Sequence, residues 1–345
     1  MTKNPSSILS TNIKPSCDFE LDYAEFLDDA LVEAWELQAS FQKNEGKEKE
    51  EREWWILKPG MSDRGQGIRL FSTEEELQSI FEEWEAERPD SDDEADDDTF
   101  ESNSGVKNDG KGDEEGGDYI VTSHLRHFIT QPYIHPPLLL ASNPRKFHIR
   151  TYVLAVGSLK VYVYKQMLVL FASTPYVPPW SSTFTSNGDE EEAASPNKQD
   201  LSGHLTNTCL QTGSHDGSVH EFFKLPEEDL GKERKEGIFK QICSVTGEIF
   251  EAAAKGMMIH FQTLPNAFEV FGLDFLVDGG GRAFLLEVNA FPDFRQTGDD
   301  LKGVVAGLWE GVVEKAVTPF FGIENAKKDE EEGMVLVKDL ELGRR

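Results

Sequence analysis

The spacing of apolar residues along the chain predicts alternating helices and strands. Apolar side chains that recur every three or four positions predict amphipathic helices at residues 20–41, 73–88, 238–256 and 301–313. Thr73 is the predicted N-cap of the second helix, and Glu76 would close a capping box with it. Runs rich in β-branched and aromatic residues predict strands at residues 54–57, 146–156, 160–171, 268–277 and 283–291, the last two forming a hairpin.

The interleaving of helices and strands predicts a fold of the α+β class. At 345 residues the chain is long enough for one large domain or two modest ones. The predicted organisation has three parts: an N-terminal helical segment at residues 1–53, a main domain at residues 54–325, and a loose, charged tail at residues 326–345.

Acidic residues dominate the charge of the chain, whose formal net charge is −30. This balance argues against general nucleic-acid binding and against a basic membrane-surface protein. Much of the acidic charge lies near residues 88–118 and 181–200, where too few apolar side chains are present to offset the entropy cost of ordering. These two stretches are predicted to be disordered insertions.

Cysteine usage and hydropathy indicate the cellular compartment. Cys17, Cys209 and Cys243 are widely separated and form neither a disulfide framework nor a zinc-binding pattern. The N-terminal residues lack the apolar core of a signal peptide, and no apolar run approaches the roughly 18 residues that cross a membrane. We therefore expect a soluble cytoplasmic protein with no membrane partner.

The predicted hairpin near the C-terminal end carries three polar residues in apolar surroundings. Asp274 interrupts the first strand, and Glu287 and Asn289 lie on one face of the second because they are two residues apart. Antiparallel pairing can bring the three together, and two carboxylates with an amide oxygen suit Mg²⁺. The favoured interpretation is a metal site; the alternative is that Asp274 ends a strand and Asn289 caps a loop.

A lysine and a glycine-rich stretch follow the first predicted strand, in the sequence WILKPGMSDRGQGI. Glycine lets backbone N–H groups approach phosphates, and Lys58 and Arg64 add positive charge. The stretch lacks the GKS or GKT ending of a P-loop. An ordinary glycine-rich hairpin with two surface cations is an equally good interpretation.

The strand KFHIR, residues 146–150, alternates basic and apolar side chains. Lys146, His148 and Arg150 share one face, and the opposite face is apolar. Cations in this arrangement suit phosphate groups or a developing anion, whereas a solvated strand face is the ordinary alternative. His204, in the sequence HLTN, is more often structural than catalytic.

Together these features indicate a triphosphate held between cations and Mg²⁺, and with them the chain resembles the tubulin–tyrosine ligase-like family of the ATP-grasp fold. Six motifs carry the resemblance in family order: WILKPGMSDRGQGI, QPYIHPPLLL, KFHIRTYVL, YVYKQMLVLFASTPY, HLTN and FEVFGLDFLVDGGGRAFLLEVNAFPDF. The resemblance implies an ATP-grasp fold that holds the nucleotide between two α/β subdomains.

The resemblance also implies roles for individual residues. Arg150 is the implied catalytic residue, placed at the γ-phosphate and the substrate carboxylate. The implied Mg²⁺ ligands are Asp274, Glu287 and Asn289. The residues implied to bind ATP are Lys58, Arg64, Gly65, Gly67, Gln131, Tyr133, Ile134, Lys146, His148, Thr206 and Asn207.

The family reaction uses ATP to phosphorylate a carboxylate, and an amine then displaces phosphate to form an amide bond. The resemblance therefore implies an ATP- and Mg²⁺-dependent ligase that joins a free amino acid to a protein, with tubulin or a tubulin-like acidic tail as the expected acceptor. Two alternatives stay open. One is an ATP-binding or scaffold module of the same fold that has lost ligation, and the other is a ligase acting on a small molecule.

Three features depart from the family pattern. The family has an aspartate where this chain has His148, and tubulin–tyrosine ligase has an arginine where this chain has Leu170. The segment before Trp54 is also shorter than the N-terminal subdomain of the family. These departures favour the module without ligation, whereas the intact Mg²⁺ ligands favour the enzyme.

Overall fold

A computed structural model describes most of the chain. The described residues are 5–60, 67–86, 126–181, 199–206, 218–292, 294, 301–323 and 333–341. The chain divides into two compact units, a smaller one of Ser16–Gln131 and a larger one that combines Met1–Pro15 with Pro132–Arg345. The first helix, α1 (Leu9–Asn12), belongs to the larger unit. The boundary predicted near residue 54 falls inside the smaller unit. The predicted insertion at 88–118 lies wholly outside the described residues, and the one at 181–200 does so apart from residues 181, 199 and 200.

The smaller unit is built on a four-stranded sheet with the strand order β1-β4-β2-β3. Its strands are β1 (Cys17–Glu20), β2 (Trp55–Pro59), β3 (Arg69–Phe71) and β4 (His127–Pro132). Its helices are α2 (Leu27–Ala30), α3 (Trp35–Asn44) and α4 (Glu74–Ala86). Apolar side chains of the sheet and of these helices form one continuous core.

The single helix predicted over residues 20–41 is wrong. Cys17 and Phe19 are buried and alternate with exposed Asp18 and Glu20, because β1 pairs with β4 at the edge of the sheet. The helical spacing then breaks between α2 and α3, where Trp35 is left 73% exposed. Residues 20–41 thus hold the end of β1, a 3-10 turn at Ala24–Phe26, the short helix α2 and the first part of α3, so the apparent period of 3.6 does not correspond to one continuous helix. The N-terminal segment is therefore not purely helical.

The helix predicted to begin after Thr73 is confirmed as α4. The hydroxyl oxygen of Thr73 accepts a hydrogen bond from the backbone N–H of Glu76 at 3.2 Å. The Glu76 carboxylate reaches the backbone N–H of Ser72 at 2.7 Å, one residue earlier than a capping box requires. The predicted inner face, with Leu77 and Trp84, is buried.

The larger unit contains a seven-stranded antiparallel sheet in the order β10-β9-β5-β6-β11, with β7 pairing with β5 and β8. Its strands are β5 (Phe147–Val156), β6 (Lys160–Tyr164), β7 (Leu168–Phe171), β8 (Val219–Glu221), β9 (Phe268–Val277), β10 (Ala283–Asn289) and β11 (Met334–Asp339). Its longer helices are α5 (Lys232–Gly256) and α6 (Lys302–Val312), and α6 continues through a π-helical turn, Val313–Val317, into α7 (Thr318–Phe320). The predicted strand at residues 160–171 is therefore two strands.

Both faces of this sheet carry buried apolar side chains. One face, which includes Ile149 and Val153 of β5, shares a core with α5. The other face, which includes Tyr152 and Leu154, shares a core with α6. Because side chains alternate along a strand, His148 and Arg150 lie on the same face as Tyr152. None of the helices in the described part of the chain is long and apolar enough to span a membrane.

The loose C-terminal tail predicted from residue 326 is wrong over part of its length. Strand β11 pairs antiparallel with β6, with Met334 opposite Tyr164. Met334 is buried against α6, where a Cβ added to Gly311 would lie 2.8 Å from the Met334 Cγ atom. The apolar run MVLV has only four residues and lies among charged ones, so the overall composition of the tail did not indicate a strand.

Candidate active site

Arg150, Asp274 and Glu287 form a row across three neighbouring strands. Arg150 of β5 lies opposite Asp274 of β9, which lies opposite Glu287 of β10. Asn289, two residues after Glu287, lies opposite Gly272 on the same face. The structure thus brings together the predicted catalytic arginine and all three predicted metal ligands.

A β-bulge in β10 decides which side chain completes the row. The register shifts between Leu285 and Glu287, so that Leu285 is opposite Phe275 and Glu287 is opposite Asp274. Without this shift, Leu286 would lie opposite Asp274, and the carboxylate of Glu287 would point to the other face of the sheet. The sequence contains no glycine or proline at this position that would have signalled the bulge.

Arg150 and Asp274 form a bidentate ion pair. The Nε and Nη2 atoms of Arg150 donate to Oδ1 and Oδ2 of Asp274 at 2.5 and 2.9 Å. Asp274 is 5% exposed, and the guanidinium supplies the partners that a buried carboxylate requires. Burial alone would lower the pKa of Arg150, but the hydrogen bonds and charge of Asp274 outweigh it and raise that pKa. The arginine is therefore a fixed cation.

The donor set of the row fits Mg²⁺. Its atoms are the oxygens of two carboxylates and one amide, which are the hard ligands that Mg²⁺ prefers. Asn289 Nδ2 donates to Glu287 Oε1 at 3.1 Å, which points the amide oxygen away from Glu287. Asp274 would share its carboxylate between Arg150 and the ion. Nowhere in the described residues do three or more His, Cys, Asp or Glu side chains form a metal cluster, so water and phosphate oxygens would complete the coordination.

His148 is a buried neutral imidazole beside this row. Its Nδ1 atom lies 2.6 Å from Thr206 Oγ1, and its Nε2 atom lies 3.7 Å from Asp274 Oδ1. Burial, and then the charge of Arg150, lower the pKa of His148 to about 3. Among the described atoms, Nε2 has no hydrogen-bond partner. At the position where the resemblance implies a carboxylate, this chain therefore has the neutral imidazole of His148, in contact with Thr206. Asn207, also predicted to bind ATP, lies outside the described residues.

Lys146, Tyr133 and His204 form a second buried polar group in the larger unit. The Lys146 Nζ atom donates to the Tyr133 hydroxyl at 3.1 Å, and that hydroxyl lies 2.8 Å from His204 Nδ1. Burial, and then the charge of Lys146, lower the pKa of His204 to about 4. Sequence reasoning did not predict these contacts, because the three residues lie in separate segments.

Two further residues of the larger unit are packed in apolar surroundings. Ile134 is buried against Leu276 and Phe284 of the β9–β10 hairpin. Leu170 is 2% exposed, lies opposite His148, and belongs to the core that contacts α6. The position where tyrosine ligase has an arginine is therefore part of an apolar core.

The predicted ATP-binding residues of the smaller unit form a group of their own. Lys58 in β2 donates from Nζ to Gln131 Oε1 at 2.9 Å, and Gln131 Nε2 donates to Ser16 Oγ at 2.7 Å. Gly67 has a φ of 72°, a left-handed conformation that glycine adopts readily. Arg64 and Gly65 lie outside the described residues.

Comparison with known proteins matches residues 4–325 to the model of the tubulin-tyrosine ligase family. A Saccharomyces cerevisiae protein named probable tubulin–tyrosine ligase PBY1 is 46% identical over 346 residues, which cover 97% of this chain and 42% of that protein. A Schizosaccharomyces pombe protein, also named a probable tubulin–tyrosine ligase, is 42% identical over 343 residues, which cover 99% of this chain and 77% of that protein. The chain thus spans less than half of the first relative and about three quarters of the second.

A solved structure supports the fold. The C-terminal domain of K. lactis Pby1, described as an ATP-grasp enzyme that interacts with the mRNA decapping enzyme Dcp2, is 38% identical to this chain. The match has a TM-score of 0.64 and covers 99% of this chain and 75% of that chain. The ATP-grasp fold expected from the sequence motifs is confirmed.

Proposed function

This chain belongs to the tubulin–tyrosine ligase family and has the ATP-grasp fold, and from that premise we propose that it is an ATP-dependent ligase that joins a carboxylate to an amine. The row of Arg150, Asp274, Glu287 and Asn289 carries the proposal. A fixed cation next to a cluster of oxygen ligands suits both a transferring phosphoryl group and the Mg²⁺ that accompanies ATP.

The proposed reaction has two steps. An oxygen of the substrate carboxylate attacks the γ-phosphorus of ATP, the bond to ADP breaks, and an acyl phosphate forms. The amine nitrogen then attacks the acyl carbon, phosphate leaves, and the amine gives up a proton as the amide bond forms. Two N–H groups of Arg150 bind Asp274, which leaves its other donors for the transferring phosphoryl group or the acyl phosphate.

Asp274, Glu287 and Asn289 are the proposed Mg²⁺ ligands. The ion, when bound, would offset the negative charge of the phosphate oxygens. Within the same proposal, Lys146, His148 and Thr206 contact the nucleotide, and Ile134 contributes an apolar surface for the base. Lys58, Gln131 and the glycine-rich loop are assigned to ATP by the family resemblance, and these assignments stay predictions.

We propose a protein as the acceptor, with tubulin or a tubulin-like acidic tail as the specific candidate and a free amino acid as the amine. The names of the two yeast relatives support tubulin. The net charge of −30 opposes it, because like charges slow the encounter with an acidic tail. A cytoplasmic location is part of the same proposal and is supported by the sparse, widely spaced cysteines.

A second candidate function is an ATP-binding module that has lost ligation and acts through a protein partner. The neutral, buried His148 and the buried Leu170 favour it, since both replace charged residues of the family pattern. The K. lactis domain interacts with a decapping enzyme, and a partner of that kind belongs to this alternative.

One assay separates the two functions. The purified protein is incubated with Mg²⁺, ATP, tubulin and labelled tyrosine, glutamate or glycine, and both incorporation and ADP release are measured. The ligase proposal expects incorporation that falls at least about a hundredfold in Glu287→Gln, which removes one charged ligand and keeps its shape. ATP binding by calorimetry without ADP release for any pairing would favour the module, and absence of ATP binding would contradict both functions.

A further inference from the structure

The buried polar group of Lys146, Tyr133 and His204 has a geometry that assigns a function to each member. We propose that Tyr133 and His204 are positioning residues that hold the Lys146 ammonium ready for a phosphate group of ATP. The inference rests on the proposed function, because it concerns the same nucleotide.

The three side chains come from separate parts of the larger unit. Tyr133 follows β4, Lys146 immediately precedes β5, and His204 lies in the described segment 199–206. Lys146 is 6% exposed, Tyr133 8% and His204 3%. A buried lysine is rare unless its ammonium has partners, so a site that is built around one indicates a requirement for its charge.

The chemistry of the groups fixes the direction of the hydrogen bond between Lys146 and Tyr133. A lysine ammonium only donates, so the Tyr133 oxygen accepts from Lys146 Nζ at 3.1 Å. The Tyr133 hydroxyl lies 2.8 Å from His204 Nδ1, and it also interacts with the side chain of Tyr176. The proposal places the Tyr133 proton in the bond to His204, with Nδ1 unprotonated. The lowered pKa of His204, about 4, is consistent with a neutral ring at neutral pH. Each bond in this chain polarises the next and strengthens it.

The ring of Tyr133 restrains the ammonium as well. Lys146 Nζ lies 4.4 Å from the ring centroid, which is a cation–π contact. The hydroxyl and the ring together limit the rotamers of a long, flexible side chain before any nucleotide arrives. Both groups are uncharged, so neither contact cancels the positive charge. A preorganised cation of this kind binds an anion at a lower entropy cost than a mobile one.

Loss of the Tyr133 hydroxyl has different consequences for ligand binding if Tyr133 positions Lys146 and if Tyr133 only supports the fold. If Tyr133 acts through Lys146, loss of its hydroxyl weakens the binding of a ligand that has phosphates and does not change the binding of a ligand that has none. If Tyr133 only supports the fold, stability changes and the two ligands are affected alike.

The test measures the affinities of ATP and adenosine by calorimetry in the full chain. Tyr133→Phe keeps the ring and removes the hydroxyl. We expect it to weaken the affinity for ATP about tenfold, the size of one hydrogen bond to a charged group, and to leave the affinity for adenosine unchanged. In a Lys146→Met background, Tyr133→Phe should add nothing, because the group on which it acts is gone. Tyr162 is a half-buried residue of β6, and Tyr162→Phe is the matched control, which should bind both ligands as the parent does.

Substitutions of the histidine complete the design. His204→Gln offers a carbonyl oxygen that can accept from the Tyr133 hydroxyl, so it should bind ATP better than His204→Leu, which offers no acceptor. Thermal melts without ligand show whether each variant is folded. Equal losses for ATP and adenosine, full additivity in the double variant, or an unchanged ATP affinity in Tyr133→Phe would each overturn the inference. A parent that fails to bind ATP would instead contradict the proposed function.

Discussion

The two faces of β5 are both mostly buried, but they differ in what their side chains contact. On one face, Phe147, Ile149 and Val153 are at most 1% exposed and pack among apolar side chains. On the other face, Tyr152 and Leu154 also pack in an apolar core, but at the N-terminal end of the strand the neighbours are polar. There His148 is 4% exposed and contacts Thr206, and the Arg150 side chain is 12% exposed and binds Asp274. Burial alone therefore does not distinguish core from candidate site in this sheet, whereas the polarity of the partners does.

The largest effect is expected from breaking the ion pair on the polar face. Asp274→Leu leaves the guanidinium of Arg150 without its carboxylate in a buried position, so the free energy of unfolding should fall by about 3–5 kcal/mol. Denaturant unfolding measures this loss, and ADP release with tubulin and amino acid measures the accompanying loss of activity.

A double variant distinguishes the two consequences of that change. Arg150→Met combined with Asp274→Leu replaces both charges with apolar groups, so stability should recover while activity stays lost. If Asp274→Leu alone were as stable as the parent, the ion pair would not be what holds the polar face together.

A somewhat smaller effect is expected on the apolar face. Ile149→Ala removes methyl groups from a fully buried position, and we expect it to lower the free energy of unfolding by about 2–4 kcal/mol. The ATP affinity of the folded protein should not change, since this side chain points away from His148 and Arg150. Ile149→Val is the matched control, with an expected loss of about 1 kcal/mol. Weakened ATP binding in a folded Ile149→Ala protein would contradict the prediction that only the polar face of β5 affects ATP binding.

Gly272 lies on the polar face next to Arg150, where added volume would displace the guanidinium. A Cβ added there would lie 3.0 Å from Pro292 Cβ and 3.4 Å from Arg150 Cδ. Gly272→Ala should cost about 1–2 kcal/mol of stability and reduce kcat by displacing the guanidinium. Gly237→Ala, on α5 with nothing within 4 Å of the added Cβ, should instead be neutral or stabilising. Equal kcat values for the two variants would show that Arg150 tolerates the shift.

The smallest predicted effect concerns pH. The pKa of His204 is about 4 in the folded protein, below the ordinary histidine value, so the unfolded chain binds a proton first as the pH falls. Stability contributed by the neutral ring is complete above about pH 6.5 and is lost as the pH falls towards 4, by about 1 kcal/mol between pH 7 and 5.5. His204→Gln should flatten this part of the stability curve in denaturant titrations, and an unchanged slope would contradict a buried neutral His204.

Much of the candidate site could be predicted because it depends on short periods. Alternation in KFHIR placed Lys146, His148 and Arg150 on one face, and a tight turn between two strands was enough to expect Asp274 near Glu287 and Asn289. These arguments need only the geometry of one strand or one hairpin. In the structure His148 and Arg150 share a face of β5, and Lys146 immediately precedes that strand. Glu287 lies opposite Asp274, but only because of the bulge in β10, which the hairpin argument did not include. The ATP-grasp fold expected from the same motifs is confirmed.

The features that sequence reasoning missed depend on pairing between distant residues. Strand β1 exists because residues near 130 lie beside Cys17, and the bulge at Leu286 exists because β9 fixes the register of its neighbour. The contact between Tyr133 and His204 joins segments 71 residues apart. No local period in the sequence indicates such contacts, which is why β1 was not predicted and why HLTN was interpreted by itself.

Strand β11 has a practical consequence for work with this protein. The family match ends at residue 325, but β11 lies at Met334–Asp339 and covers the edge of β6. A fragment cut at the family boundary would leave the backbone N–H and C=O groups of β6 open to another chain, and it would also uncover the apolar surface of Gly311 and its neighbours. Such a fragment should self-associate or precipitate through edge-to-edge strand pairing. Domain boundaries for crystallisation or fusion should therefore be placed after Asp339.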